Sequence, residues 1–512
     1  MNLTRTKPVE QSIRDTDEPG HKLRRSLSAL DLTVFGIGVV IGTGIFVLTG
    51  EAAGVEAGPA VAISFVVAGI ACALAAVCYA EFASTVPVAG SAYTFSYATL
   101  GEAVAWIIGW DLILELALGA ATVASGWSTY FADLAEQAGV TLPESVYSDG
   151  HNLVAAAIVL LLTGVICLGI NVSARVNMVI VAIKVGIVLL VIVAGLFFVK
   201  TSNWSPFIPP AGSQGAKAPK PDPSLLQDLG LSPGGPFGVA GIFTAAALVF
   251  FAFIGFDVVA TAAEETKNPQ RDLPRGIFGS LAICTTLYIA VSLVVTGMVK
   301  YDQVSVEAPL AEAFRSVDQP TIATIISIGA LAGLTTVMMI LMIGQSRVFF
   351  AMARDRLLPP VFASVNERTG TPVRTTITTG VVIAALAGLL PLEELAKLVN
   401  IGTLFAFVLV SAGIIVLRRT RPDLERAFRV PWVPLVPILS VLASLYLMLN
   451  LTAATWVRFF VWMAVGLVVY AAYGYRRSRL GTEGPERGTV DLRDRDRATA
   501  TSTSTTDRGD NS

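Results

Sequence analysis

Gly38-Val39-Val40-Ile41-Gly42-Thr43-Gly44-Ile45-Phe46 lies inside the first long apolar run of the chain. Three glycines and a threonine occupy a place where a membrane helix would otherwise run unbroken. Glycine costs about 1 kcal/mol against alanine in a helix interior, so the cluster predicts a break. In lipid, non-helical backbone survives only where it is buried in protein or lines a watery cavity. A break at mid-membrane frees N–H groups on one half-helix and C=O groups on the other, and such ends can hold both poles of a zwitterion. The other reading of the same residues is close helix packing through small side chains.

The surrounding chain fits a membrane setting. Of its 512 residues 54% are hydrophobic and 14% charged, with a mean hydropathy of +0.68, where a soluble protein carries about 25% charged residues. The net charge of −2 says little about partners, because its distribution matters more than its sum; no nucleic-acid partner is expected. Cys72, Cys78, Cys167 and Cys284 all fall in apolar runs and read as small buried hydrophobes. The only histidines, His21 and His151, stand in polar segments, which argues against a histidine-based metal site. The polar start predicts no cleavable signal peptide.

Apolar runs of spanning length fall near 32–56, 59–82, 101–131, 152–171, 176–199, 238–262, 276–299, 321–350, 373–391, 396–417, 432–452 and 455–475. The third and eighth are long enough to tilt. Basic residues gather on one side, in the N-terminal tail and at Lys267/Arg271/Arg275, Arg354/Arg356/Arg368/Arg374, Arg418/Arg419/Arg421/Arg426/Arg429 and Arg476/Arg477/Arg479, while 51–58 and 132–151 hold no Lys or Arg. Both termini are therefore expected in the cytoplasm of a multi-pass cytoplasmic-membrane protein. The expected layout is a cytoplasmic tail 1–30, a first block 31–200, an outward loop 201–237 rich in Pro, Gly and Ser, a second block 238–420, two further spans in 421–478, and a low-complexity tail 479–512.

Each block of five opens on an unusual span. The first has Ile41-Gly42-Thr43-Gly44, and the sixth has Phe250-Phe251-Ala252-Phe253-Ile254-Gly255-Phe256-Asp257. Five is odd, so the second block sits upside down relative to the first. Interrupted helices at matching places in inverted blocks point to a transporter's binding site.

Ionisable residues at membrane depth are costly and mark function by default. Lys184 lies about 12 Å into span five, eight residues past its start at 1.5 Å per residue. Snorkelling from there is a stretch. A desolvated lysine can give up and regain a proton, so Lys184 is the candidate proton carrier, expected to bond the freed carbonyls of span one. A static pair with Glu115 is the alternative. Glu115, central in span three, could face a cavity, pair with Lys184 or accept a cationic side chain. Asp111 stands one turn earlier and reads as a cap or interfacial pair. Asp257 could hold backbone of the unwound sixth span or attract a substrate amine. Glu81, Glu264 and Glu265 read as interfacial pairs, and Tyr288 as a packed tyrosine or substrate contact.

No catalytic motif is present, no cofactor is expected, and no cytoplasmic loop is long enough to fold as a driving domain. A sensor lacks an output domain here, so ion or substrate gradients are left as the energy source.

These residues resemble the amino acid–polyamine–organocation superfamily and, within it, the bacterial members of the cationic amino acid transporter family. The resemblance covers about residues 25 to 478. It rests on Gly38 to Phe46, Tyr79 to Phe82, Pro87 to Tyr93, Trp110 to Gly119, Phe250 to Asp257, Asn268 to Pro274 and Arg426 to Pro431. It implies an all-α polytopic membrane protein of about twelve spans: a five-plus-five inverted-repeat core, spans one and six interrupted, and two C-terminal helices. It further implies alternating access, a substrate carboxylate held by backbone at Ile41, Gly42, Thr43 and Gly44, and an amine met by carbonyls at Phe251, Ala252 and Ile254 near Asp257. Lys184 matches the family lysine whose presence implies proton coupling, and Glu115 and Tyr288 match cavity positions. The expected activity is proton-coupled uptake of L-amino acids, cationic, small neutral or both, with amino acid–polyamine exchange as the alternative.

Overall fold

The computed structural model describes residues 27–85, 91–148, 150–169, 174–216, 222–233, 235–261, 266–366, 369, 371–422, 424, 426 and 428–478. Both tails, the stretch from Pro87 to Gly90, and Glu264 and Glu265 lie outside them. Among the described residues all twelve apolar stretches form helices, and no strand forms.

Span one begins as α1 (Ala29–Val40). Ser28 and Asp31 form a reciprocal capping box at its start, with the Ser28 N–H 2.9 Å from Asp31 Oδ2. The helix stops where the sequence predicts. Ile41 is extended (φ −73°, ψ 97°), and the chain re-enters through wide π-type turns at Gly44–Leu48 and Ala52–Ala57. Span two is α2 (Val61–Thr85), followed by the short α3 (Ser91–Thr99). Spans three, four and five are α4 (Glu102–Gln137), α5 (Leu153–Cys167) and α6 (Ala174–Gly195).

Span six is α7 (Gly238–Val249), which tightens at Phe250–Phe253, breaks, and resumes at Val258–Thr261. Gly255 sits in the break at φ 110°, with Val39 of α1 where a side chain would be, a conformation only glycine adopts readily. Spans seven to ten are α8 (Pro269–Met298), α9 (Pro320–Arg354), α10 (Val373–Leu389) and α11 (Leu392–Thr420). The last two are α12 (Leu435–Leu449) and α13 (Ala453–Val469).

Helix packing reads the same when the two blocks are exchanged. The self-matching pairs α2·α8, α4·α9 and α5·α10 all pack together. The pair α1·α8 has its counterpart in α2·α7, α4·α11 in α6·α9, and α1·α6 in α7·α11. Such a pattern is what a two-fold relation between five-span units requires. α4 forms the centre, with 89% of its most apolar stretch buried, against 22% for the last helix at the rim. Trp106 and Trp110 of α4 stack with Tyr470 and Trp462 of that rim helix. Gly466 leaves the room Trp110 needs.

Glu81 at the end of α2 is fully buried rather than interfacial. Arg418 donates to its carboxylate at 2.6 and 3.0 Å, Arg426 approaches at 3.3 Å, and the Val430 N–H donates at 2.6 Å. Two motifs far apart in sequence thus meet at one carboxylate, clasping the end of α11 to α2. The described ends of the Pro-rich loop between the two blocks are likewise strapped down. Lys200 N–H bonds Gly297 O at 2.9 Å, Ala216 N–H bonds Gly54 O at 2.8 Å and Phe237 N–H bonds Glu56 O at 2.8 Å.

Candidate functional site

The glycines of span one divide between the two roles that the sequence left open. Gly36 and Gly38 serve packing: a Cβ at Gly36 would meet Ser280 at 2.6 Å, and one at Gly38 would meet Val181 at 2.6 Å. Gly42 and Gly44 serve the break. A Cβ at Gly44 would fall 2.2 Å from the Ala252 Cα, so the two interrupted spans touch main chain to main chain.

Helix ends leave carbonyls unpaired, and in α1 side chains take them. Lys184 Nζ donates to Gly38 O at 2.6 Å and to Ile41 O at 3.2 Å. The Tyr288 hydroxyl donates to Val40 O at 2.8 Å. Lys184 is 1% exposed and its stem lies against Gly333 of α9. Among the described residues no carboxylate pairs with it, Glu115 included. The opposite lip keeps its donors: the N–H groups of Gly42, Thr43 and Gly44 bond no described residue. The Thr43 hydroxyl is buried and also without a partner. Tyr130 of α4 secures the new half-helix by donating to Phe46 O at 2.7 Å.

In span six, Asn400 of α11 donates through Nδ2 to Ala247 O at 2.7 Å and Leu248 O at 3.0 Å. Phe251 O accepts from Ile254 N–H at 3.2 Å, whereas Ala252 O and Ile254 O accept from no described residue. A row of free donors therefore borders a pair of free acceptors.

Between them lies a narrow cleft lined by Val39, Val40, Gly42, Thr43, Gly44, Gly119, Val123, Phe251, Ile254, Val337 and Leu341. Of the residues singled out in the sequence, Gly42, Thr43, Gly44, Phe251 and Ile254 line it. Ile41 and Ala252 are not among the lining residues, although the Ala252 main chain packs on Gly44, which is. Glu115, Asp257 and Tyr288 do not line it. Tyr288 is engaged on Val40, and Glu115 lies buried beside Thr403 and Asp257. The Asp257 carboxyl faces the backbone of its own break, with Oδ1 unpartnered. Asp111 is fully buried rather than interfacial, its carboxyl against Gly402 with neither oxygen paired. Among the described residues, none that lines the cleft carries a charged side chain. Asn400, which the sequence reading passed over, is an amide at membrane depth and could have been found by the same rule that found Lys184. Val123, Val337 and Leu341 carry no such mark.

The family model described as amino acid permease matches residues 27–472. The branched-chain amino acid permease BcaP of Bacillus subtilis is 48% identical over 490 residues, covering 94% of this chain and 99% of the relative. A methylthioribose transporter of the same organism is 47% identical over 488 residues, with the same coverage of both chains. The vacuolar cationic amino acid transporter 2 of Arabidopsis thaliana is 39% identical over 428 residues, covering 82% of this chain and 64% of the relative. A match of this reach, on a helical membrane scaffold whose first and sixth spans break against each other, places the chain in the amino acid permease family of the amino acid–polyamine–organocation superfamily.

Proposed function

We propose that the protein is a proton-coupled importer of L-amino acids with neutral, apolar side chains, working by alternating access in the cytoplasmic membrane with both termini inside. The observation that carries this reading is the pairing across the cleft of free N–H groups at Gly42, Thr43 and Gly44 with free carbonyls at Ala252 and Ile254. A carboxylate suits the first set and an ammonium the second, since main-chain dipoles at helix ends favour opposite charge. No side-chain charge is needed for either pole. A substrate side chain would then meet only apolar walls, where an unpaired lysine or arginine head is strongly disfavoured.

Lys184 supports the coupling half. Its ammonium holds the carbonyl end of α1 to α6, so a change in its protonation alters a contact on which the break depends. A proton entering down a 100 mV potential contributes about 2.3 kcal/mol, enough to drive accumulation.

The relatives' names agree in part. BcaP is named for branched-chain amino acids. Methylthioribose, named for the other bacterial relative, offers an apolar methylthio group but neither ammonium nor carboxylate, and would leave the cradle unfilled. The test is uptake into proteoliposomes. With an inward proton gradient and empty vesicles, radiolabelled leucine accumulates, and unlabelled valine or isoleucine competes while arginine and methylthioribose do not. An obligate exchanger stays silent until the vesicles are preloaded with substrate. Competition by arginine equal to that by valine would remove the neutral-substrate reading.

A further inference from the structure

We propose that Gly119 of α4 sets the size of the side chain this protein carries, by leaving open an apolar recess against α9. The inference rests on the cleft being the amino acid site. If the zwitterion is held by main chain of spans one and six, the substituent on its Cα is left to the remaining walls. Those walls are Gly119 and Val123 from α4 and Val337 and Leu341 from α9.

Gly119 differs from the other glycines of its helix. A Cβ at Gly109 would press on Tyr93 and Met352 at 2.9 Å, and one at Gly126 on Thr43 at 2.8 Å. Those positions need glycine because a neighbour occupies the space. At Gly119 a Cβ would meet only Leu341 Cδ1, at 3.5 Å, an ordinary contact. Glycine weakens a helix interior relative to alanine, and here no protein neighbour fills the room it leaves. That room opens into the cleft, in front of Leu341. Gly42 also has room, with Val337 at 3.6 Å, but its N–H belongs to the donor row. Gly119 lies mid-helix, so the missing side chain is its whole contribution. Apolar recesses discriminate by volume, about 10- to 200-fold for one methylene. Gly119 is thus a specificity-determining position, and the ligand class it admits is an amino acid with a branched aliphatic side chain.

The experiment compares leucine and alanine uptake in proteoliposomes for the parent protein, G119A, L341A and G119A/L341A. Gly119→Ala is expected to raise the leucine KM about 10-fold or more while alanine stays within about twofold, and adding Leu341→Ala is expected to restore leucine. Leu341→Ala alone is expected to admit phenylalanine as a competitor. An unchanged leucine-to-alanine ratio in G119A, or a double variant that stays poor for leucine, overturns the proposal. A G119A protein that fails to fold also overturns it, because the recess would not be open. A parent protein that moves neither amino acid overturns the transport reading itself, a result distinct from an altered or unaltered ratio in G119A.

Discussion

The breaks in spans one and six are made of the same kind of backbone and finished in opposite ways. In span one Lys184 and Tyr288 take the carbonyls of Gly38, Val40 and Ile41, and the N–H side is left open. In span six an amide, Asn400, closes two carbonyls a turn inside the helix, and at the break those of Ala252 and Ile254 stay open. One break therefore presents donors and the other acceptors. Polarity at the cleft is decided less by the breaks than by which side chains silence the unwanted half of each. The difference also supports the proposed proton coupling: the group that silences span one is titratable, whereas the group that silences span six is a neutral amide.

Removing the contact between the breaks gives the largest effect. Gly44→Ala places a methyl group inside the Ala252 backbone, a position where no side chain can yield. Overpacking of this kind costs about 1–3 kcal/mol or more. Ligand-induced thermal stabilisation and transport are both expected to vanish, and a G44A protein that still responds to leucine in a thermal-shift assay would contradict the contact.

Lys184→Ala strikes one break only. pH-driven accumulation is expected to be lost while leucine still shifts the melting temperature, because the donor row is untouched. Normal accumulation by K184A would count against its coupling role. Its counterpart, Asn400→Leu, removes the side-chain donor from the carbonyls of Ala247 and Leu248, of which Leu248 still accepts from the Phe250 N–H. An unsatisfied buried acceptor costs about 1–3 kcal/mol, so a lower melting temperature is expected with the pH dependence of uptake unchanged. A changed pH profile in N400L would blur the distinction between the two breaks.

Tyr288→Phe is expected to be mildest. It removes one hydrogen bond to Val40 O, worth about 0.6 kcal/mol on average inside membranes. The melting temperature is expected to fall slightly and the leucine KM to stay within about twofold, as measured by uptake kinetics. A large rise in KM would place Tyr288 on the substrate instead.

The twelve spans and both interruptions were legible in the sequence because they rest on strong local signals: hydropathy of spanning length, and glycine where a helix wants alanine. Lys184 was legible because a charge at that depth has few explanations. What closes each carbonyl was less so. Tyr288 and Asn400 act across the fold, on residues 248 and about 150 positions away, and nothing local announces such a partner. Glu81 and Asp111 looked interfacial because position along a helix says nothing about which neighbour covers it. The apolar walls were the least legible. Val337 and Leu341 stand in a helix full of equivalent residues, and only the approach of α9 to α4 separates them from the rest.

A leucine-bound structure at side-chain resolution tests the central claim most directly. The account predicts the carboxylate within hydrogen-bond distance of the N–H groups of Gly42 to Gly44, and the ammonium on the carbonyls of Ala252 and Ile254. Leucine held instead by the carboxyls of Glu115 or Asp257, with the Gly42 to Gly44 donors unfilled, would contradict it.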